Sequence, residues 1–177
     1  VSSHYFIKNN GKILNLVPDL YTAWHAGISG WTKFNSLNKY SIGIEISNPG
    51  HDHGYKKFSF KQIASLEKLL KSLVKKYNIN RSFILGHSDI APDRKKDPGE
   101  KFPWKLFAKK KLCIWHKLDE KKIKIYRKVK LSSKDEIFFL NNLYRIGYSK
   151  IKSVSSKKYK KLVIKAFQRR FRQDLIN

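Results

Sequence analysis

The sequence predicts an α/β fold in which a central β-sheet is flanked by helices and followed by a small helical unit. Apolar runs of strand length occupy residues 4–8, 13–17 and 41–47. Residues 59–77 repeat apolar side chains at helical spacing, and shorter helical patterns follow residue 131. With 177 residues, 41% of them apolar, the chain is long enough for one full domain and a smaller piece.

The first two strands are predicted to form a hairpin, because an Asn-Gly step at residues 10–11 lies between them. The next strand-like run provides a third strand. The long helix is predicted to begin with a capping box at Ser59 and Gln62. Residues 83–86 are then predicted to form a short buried strand that ends at His87, where a sheet would hold a functional side chain rigidly.

The pattern changes beyond Trp115. Residues 117–130 are basic, and their alternating isoleucine and valine side chains predict an extended connector that docks on the domain. A short helix ended by Gly147 and another helix over residues 163–171 are predicted to make up the second unit.

The chain carries 39 Lys and Arg against 13 Asp and Glu, which gives a formal net charge of +26. Such a charge raises the possibility of nucleic-acid binding. However, the lysines are spread along the whole chain without a recognised nucleic-acid motif, and the same charge would attract anionic polymers of a cell envelope. No apolar run approaches the roughly 20 residues that span a bilayer. The single cysteine, Cys113, excludes an intramolecular disulfide and is predicted to be buried.

Residues 86–99 combine an imidazole, an ammonium and several carboxylates on one short connection. Neutral imidazole and carboxylate oxygen are donors that zinc accepts, and a catalytic zinc keeps one position open for water. Taken alone, the segment is more typical of a surface loop in which His87 and a neighbouring Asp make hydrogen bonds. His51 and His53 fit a solvated turn better than a metal site.

Glu45 is a lone carboxylate within an apolar, strand-like run. A carboxylate among core-facing residues must be paired, coordinated to a metal or shifted in pKa, since an isolated buried charge is very costly. Glu45 could therefore act as a general acid or base beside a metal-bound water. Alternatively, it lies at an exposed strand end and pairs with a lysine.

Residues 22–31 interleave two indoles and an imidazole with glycines, which predicts a loop. Aromatic faces beside such a loop suit stacking on sugar rings or peptides. Trp24 and Trp31 could equally be lids over the core.

The chain carries four motifs in order: VSSHY at its start, WHAG at residues 24–27, SIGIE at 41–45, and HSDIAP followed by KKDPG within 87–99. With these motifs the chain resembles, up to about residue 115, the type 2 family of zinc-dependent N-acetylmuramoyl-L-alanine amidases. The resemblance implies a central mixed β-sheet flanked by helices. The chain is most similar to the cell-envelope amidases that carry a C-terminal peptidoglycan-binding segment.

The resemblance also implies roles for individual residues. His87 and Asp97 would be zinc ligands, and Glu45 would be the catalytic carboxylate that takes and returns a proton. Lys95 would stabilise the negative charge that develops on the substrate oxygen. Zn²⁺ would be the cofactor, since it makes water nucleophilic near neutral pH. The candidates for lining the substrate groove are Trp24, His25, Trp31 and Asn35.

The family's remaining zinc ligand is a histidine on a strand ahead of the segment with which this sequence opens, and the family's counterpart of His4 is not a ligand. Because the sequence has no methionine and no signal peptide, we expect an incomplete chain or a truncated gene product. With only His87 and Asp97 as protein ligands, this polypeptide would bind zinc weakly and hydrolyse poorly, whereas its complete parent would be an active amidase. We expect an amidase catalytic domain that lacks its N-terminal strand at residues 1–116. A basic connector at 117–130 and a partial helical peptidoglycan-binding domain at 131–177 would follow.

The substrate implied by the resemblance is peptidoglycan or its muropeptide fragments, cleaved at the amide between the lactyl group of muramic acid and L-alanine. We expect a monomer in the bacterial cell envelope, periplasmic or associated with the outer membrane, without a transmembrane segment or a nucleic-acid partner. Two alternatives stay open. One is a non-catalytic peptidoglycan-binding protein, and the other is a basic nucleic-acid-binding protein.

Overall fold

The computed structural model describes residues 2–130, 132–149 and 156–176. The strands in these ranges are β1 (Tyr5–Ile7), β2 (Ile13–Asn15), β3 (Gly30–Trp31), β4 (Phe34–Asn35) and β5 (Ile44–Ile46). The α-helices are α1 (Phe60–Tyr77), α2 (His87–Ile90), α3 (Trp104–Lys109), α4 (Glu120–Tyr126), α5 (Ser133–Ile146) and α6 (Ser156–Phe171).

The main sheet is mixed, as predicted, with strand order β2-β1-β5. β1 pairs antiparallel with β2 and parallel with β5. The predicted hairpin is confirmed, and Gly11 in its turn has a φ of 84°, a conformation that glycine adopts without strain. β3 and β4 form a separate antiparallel pair in the loop region that precedes β5.

α1 begins with the predicted capping box. The Ser59 side chain accepts a hydrogen bond from the Gln62 backbone, and the Gln62 side chain accepts one from the Ser59 N–H. The buried leucines Leu66 and Leu70 pack against Ile7 of the sheet in one hydrophobic core that also contains Phe107 of α3. This core supports the sheet from the side of α1.

Two predictions of extended structure are wrong. Residues 84–86 form no strand, because the Ile84 N–H bonds to Arg81 and the Gly86 N–H is taken by the Asp89 side chain. His87 is therefore the first residue of α2 rather than the end of a strand. The connector is not fully extended either, since the Asp119 side chain caps α4 within it.

A second core joins the C-terminal helices to the loop before β4 and to α2. Leu143 of α5 and Val163 of α6 are buried in it together with Trp31 and Ile90. The predicted end of α5 at Gly147 is confirmed, and α6 is longer than predicted. Cys113 is buried, as predicted. None of the helices in the described ranges combines the length and apolar character that crossing a bilayer requires.

We predict that Ser59→Ala lowers the free energy of unfolding by about 1 kcal/mol, because α1 loses its N-cap oxygen. Urea unfolding followed by circular dichroism measures the change. Ser72→Ala is the matched control, since Ser72 is exposed in the interior of the same helix, where alanine is at least as favourable. Equal stability of the wild type and Ser59→Ala would contradict this account of the capping box.

Candidate metal and active site

A cavity of about 1200 Å³ opens beside β5, α2 and the loop that carries Trp24. It contains nearly all of the residues that the sequence singled out. Those that line it are Trp24, His25, Trp31, Glu45, His87, Lys95 and Asp97. Asn35 is not one of its lining residues; its side chain lies beside Gly30 on the β3–β4 pair.

His87 is held in a defined orientation. Its Nε2 lies 3.2 Å from the carbonyl oxygen of Ala26. Because a carbonyl can only accept, Nε2 carries a proton and donates it, which leaves Nδ1 to face the cavity. Metal-binding histidines are commonly oriented by such a bond from the second ring nitrogen.

The Asp97 carboxylate faces Nδ1 of His87. Its Oδ2 lies 3.1 Å from Nδ1 of His87, and the Asp97 backbone carbonyl accepts the Ser88 N–H at 2.8 Å. Partial desolvation raises the pKa of the Asp97 carboxyl, but its contact with His87 and the charge of Lys95 hold it below its ordinary value. The carboxylate is therefore ionised at neutral pH.

These two side chains provide a nitrogen and an oxygen donor that suit zinc and other borderline divalent cations. The described residues contain no group of three or more His, Cys, Asp or Glu side chains that could hold a metal ion. His4 is excluded because its Nε2 donates to Tyr21 and its Nδ1 accepts from Gly43. Nε2 of His51 lies 3.1 Å from the Glu100 carboxylate, within hydrogen-bond distance.

Glu45 lies on β5, opposite Phe6, and its side chain is exposed at the cavity wall. The expectation that it faces the core is wrong, because Glu45 is the middle residue of β5 and its side chain is exposed in the open cavity. Among the described residues Glu45 forms no ion pair, so the alternative of a lysine partner is not what the geometry shows. A free carboxylate in this place can exchange protons with bound molecules.

The aromatic candidates differ in exposure. Trp24 is 69% exposed at the cavity, where it can stack on a ligand. Trp31 is 2% exposed and packs edge-on against Tyr148 with ring centroids 5.0 Å apart, so its geometry favours the role of a core lid. His25 Nε2 donates to the backbone carbonyl of Ser41 at 3.2 Å, and burial lowers the pKa of the His25 imidazole.

Arg94 is a residue of the site that sequence reasoning missed. Its guanidinium donates to the carbonyls of both Ala26 and Ile28. The same Ala26 carbonyl orients His87, so Arg94 fixes the loop that sets the imidazole tautomer. Its place between Asp93 and Lys95 in the motif was visible in the sequence, but nothing there indicated that it reaches back more than 60 residues.

A family profile described as "N-acetylmuramoyl-L-alanine amidase" matches residues 1–100 of this chain. The chain belongs to the N-acetylmuramoyl-L-alanine amidase family. This membership agrees with the arrangement of His87, Asp97 and Glu45 around one cavity.

One amidase relative aligns along the whole chain, and another aligns along 60% of it. N-acetylmuramoyl-L-alanine amidase AmiD of Escherichia coli is 36% identical over 189 residues, which span 100% of this chain and 68% of AmiD. 1,6-anhydro-N-acetylmuramyl-L-alanine amidase AmpD of Escherichia coli is 39% identical, over 60% of this chain and 56% of AmpD. The solved structure of AmiD with a substrate matches with a TM-score of 0.83 and 35% identity, over 99% of this chain and 72% of that one.

These relatives are named as amidases, so the amidase family assignment favours an enzyme over the non-catalytic peptidoglycan-binding protein. AMPDH3 of Pseudomonas aeruginosa has the same fold, with a TM-score of 0.83 at 30% identity over 98% of this chain. The shared fold includes the C-terminal helices, because the AmiD and AMPDH3 matches cover nearly all of the chain.

We predict that His87→Ala and Asp97→Ala each weaken binding of Zn²⁺ or Co²⁺ by at least about tenfold, the loss that even outer-shell changes cause at metal sites. Competition with a chromophoric chelator measures the affinity. His53→Ala is the control, because His53 is an exposed histidine of the turn at His51–His53. Unchanged affinity in both ligand variants would contradict the assignment of this site.

Proposed function

We propose that this chain carries the active site of a zinc-dependent N-acetylmuramoyl-L-alanine amidase that acts on muropeptides. The observation that carries the proposal is the approach of His87 Nδ1 to the Asp97 carboxylate at 3.1 Å on the wall of a cavity that Glu45 and Lys95 also line. Metal-assisted amide hydrolysis uses side chains of these types: an imidazole and a carboxylate that bind the metal, a second carboxylate that transfers protons, and an ammonium.

His87 and Asp97 would hold the zinc. The zinc, when bound, would act as a Lewis acid that makes water nucleophilic near neutral pH. The Ala26 carbonyl and Arg94 support this arrangement, because they fix the orientation of the His87 imidazole before any metal binds. The donor atoms are nitrogen and oxygen, which suits zinc better than a soft, thiolate-binding metal.

Glu45 would take a proton from the attacking water and return it to the leaving amine of L-alanine. Its exposure at the cavity and its freedom from an ion pair among the described residues leave the carboxylate available for both transfers. Lys95 would place its ammonium near the oxygen on which negative charge develops. Its charge already acts on Asp97, which supports this location.

A third protein donor would complete the metal site, since catalytic zinc usually takes three. The family resemblance implies that this donor is a histidine.

Anhydromuramyl peptides are the substrates that we propose. AmiD was solved with anhydro-N-acetylmuramic acid-L-Ala-D-gamma-Glu-L-Lys, and AMPDH3 was solved with anhydromuramic pentapeptide. A cavity of about 1200 Å³ is large enough for a sugar and part of its peptide. Trp24 would stack on the substrate, while Arg94 and His25 would shape the adjoining wall.

We further propose that the protein works in the bacterial cell envelope as a monomer and that its C-terminal helices contact peptidoglycan. The net charge of +26 supports this, because it would draw the protein to anionic envelope polymers. The boundaries at 1–116, 117–130 and 131–177 stay predictions. Co-sedimentation with intact sacculi in rising salt tests the wall contact.

Zinc-dependent release of stem peptide from an anhydromuramyl tripeptide, detected by mass spectrometry, tests the proposed activity. We predict that Glu45→Gln lowers this release by at least about 100-fold, the contribution typical of a general acid or base, while zinc affinity stays unchanged.

Glu136→Gln is the matched control, since Glu136 is exposed on α5 away from the cavity. Sedimentation with sacculi without any peptide release, even with excess zinc, would support the non-catalytic binding protein instead. Retention of full activity in Glu45→Gln would remove this residue from the mechanism.

A further inference from the structure

Asp89 is a buried carboxylate two residues after His87. It is 1% exposed, and both of its oxygens are used. Oδ1 accepts the Tyr148 hydroxyl at 2.7 Å, and Oδ2 accepts the Gly86 N–H at 2.8 Å and Arg170 Nη1 at 2.6 Å. A charge at this depth is stable only with such partners, so the three donors determine where α2 lies.

Arg170 of α6 reaches the same region from the far end of the chain. It is 2% exposed, its Nη2 donates to the Ile84 carbonyl at 3.0 Å, and its guanidinium carbon lies 4.2 Å from the ring centre of Trp104. One side chain thus bonds both to the segment before His87 and to the helix that His87 begins. A planar guanidinium can do this because its donors point in two fixed directions.

Tyr148, in the turn after α5, is the third residue that donates a hydrogen bond to Asp89. Burial raises the pKa of its hydroxyl well above the ordinary value, with the Asp89 carboxylate acting in the same direction, so the hydroxyl stays a neutral donor. Its ring packs in one core with Ile90, Val163 and Ala166. The C-terminal helices therefore cover the inner face of α2, while His87 lies at the cavity.

We propose that Arg170 is a positioning residue for the proposed metal ligand His87. The C-terminal helices would then help to orient the amidase site, in addition to any contact with the cell wall. The connection is short: Arg170 holds Asp89 and Ile84, these fix residues 84–89, and Ser88 N–H in turn bonds to the backbone of Asp97. Both proposed ligands are thereby set by one side chain of α6. The inference rests on the proposed metal site.

Arg170→Lys tests this proposal, because lysine keeps the charge but cannot hold Asp89 and Ile84 together. We expect a folded protein in which amide hydrogen exchange at Gly86 and Ser88 speeds up by about tenfold while the core amides of α1 keep their protection. We expect Co²⁺ affinity to fall by about tenfold as well, with a changed visible spectrum of the bound cobalt.

Arg145→Lys is the matched control, since Arg145 is exposed on α5. Tyr148→Phe is the second variant; it removes only the bond to Oδ1, and we expect a smaller change at the same two amides. The proposal is overturned if Gly86 and Ser88 keep wild-type exchange in Arg170→Lys, or if every core amide loses protection by the same factor. The exchange readout needs no metal, so failure of the proposed amidase activity would be seen separately.

Discussion

The Asp89 carboxylate lies almost fully buried where residues 84–86, α2, the turn after α5 and α6 meet. A charge in such a place requires several hydrogen bonds and an opposite charge, and it receives them from Gly86, Tyr148 and Arg170. Because each donor comes from a different part of the chain, the carboxylate fixes their relative positions. The start of α2, and with it the His87 imidazole, follows from that arrangement.

A second set of hydrogen bonds orients His87 from the loop that carries Ala26. The Ala26 carbonyl takes the Nε2 proton of His87, and Arg94 holds that carbonyl in place. Nδ1 and the Asp97 carboxylate then face one another beside Glu45 and Lys95. The site is thus oriented by backbone and side-chain bonds before a cation enters, which is how rigid metal centres are usually built.

Features determined by neighbouring residues could be predicted from the sequence. The Asn-Gly hairpin, the capping box at Ser59 and the end of α5 at Gly147 each depend on contacts within a few positions. Residues 84–86 were mispredicted because their strand-like composition does not reveal that Asp89 takes the Gly86 N–H. The sequence motifs identified the proposed ligands and Glu45 as parts of one site. Arg170 lies 81 residues from Asp89, and no pattern around it in the sequence indicates this contact.

Binding of one divalent cation by His87 and Asp97 is tested most directly by zinc-edge X-ray absorption of the chain with one equivalent of zinc. We expect a shell of nitrogen and oxygen atoms at about 2.0–2.2 Å with imidazole scattering that disappears in His87→Ala. A sulfur neighbour at about 2.3 Å, which only Cys113 could provide, or a shell without imidazole scattering would contradict it.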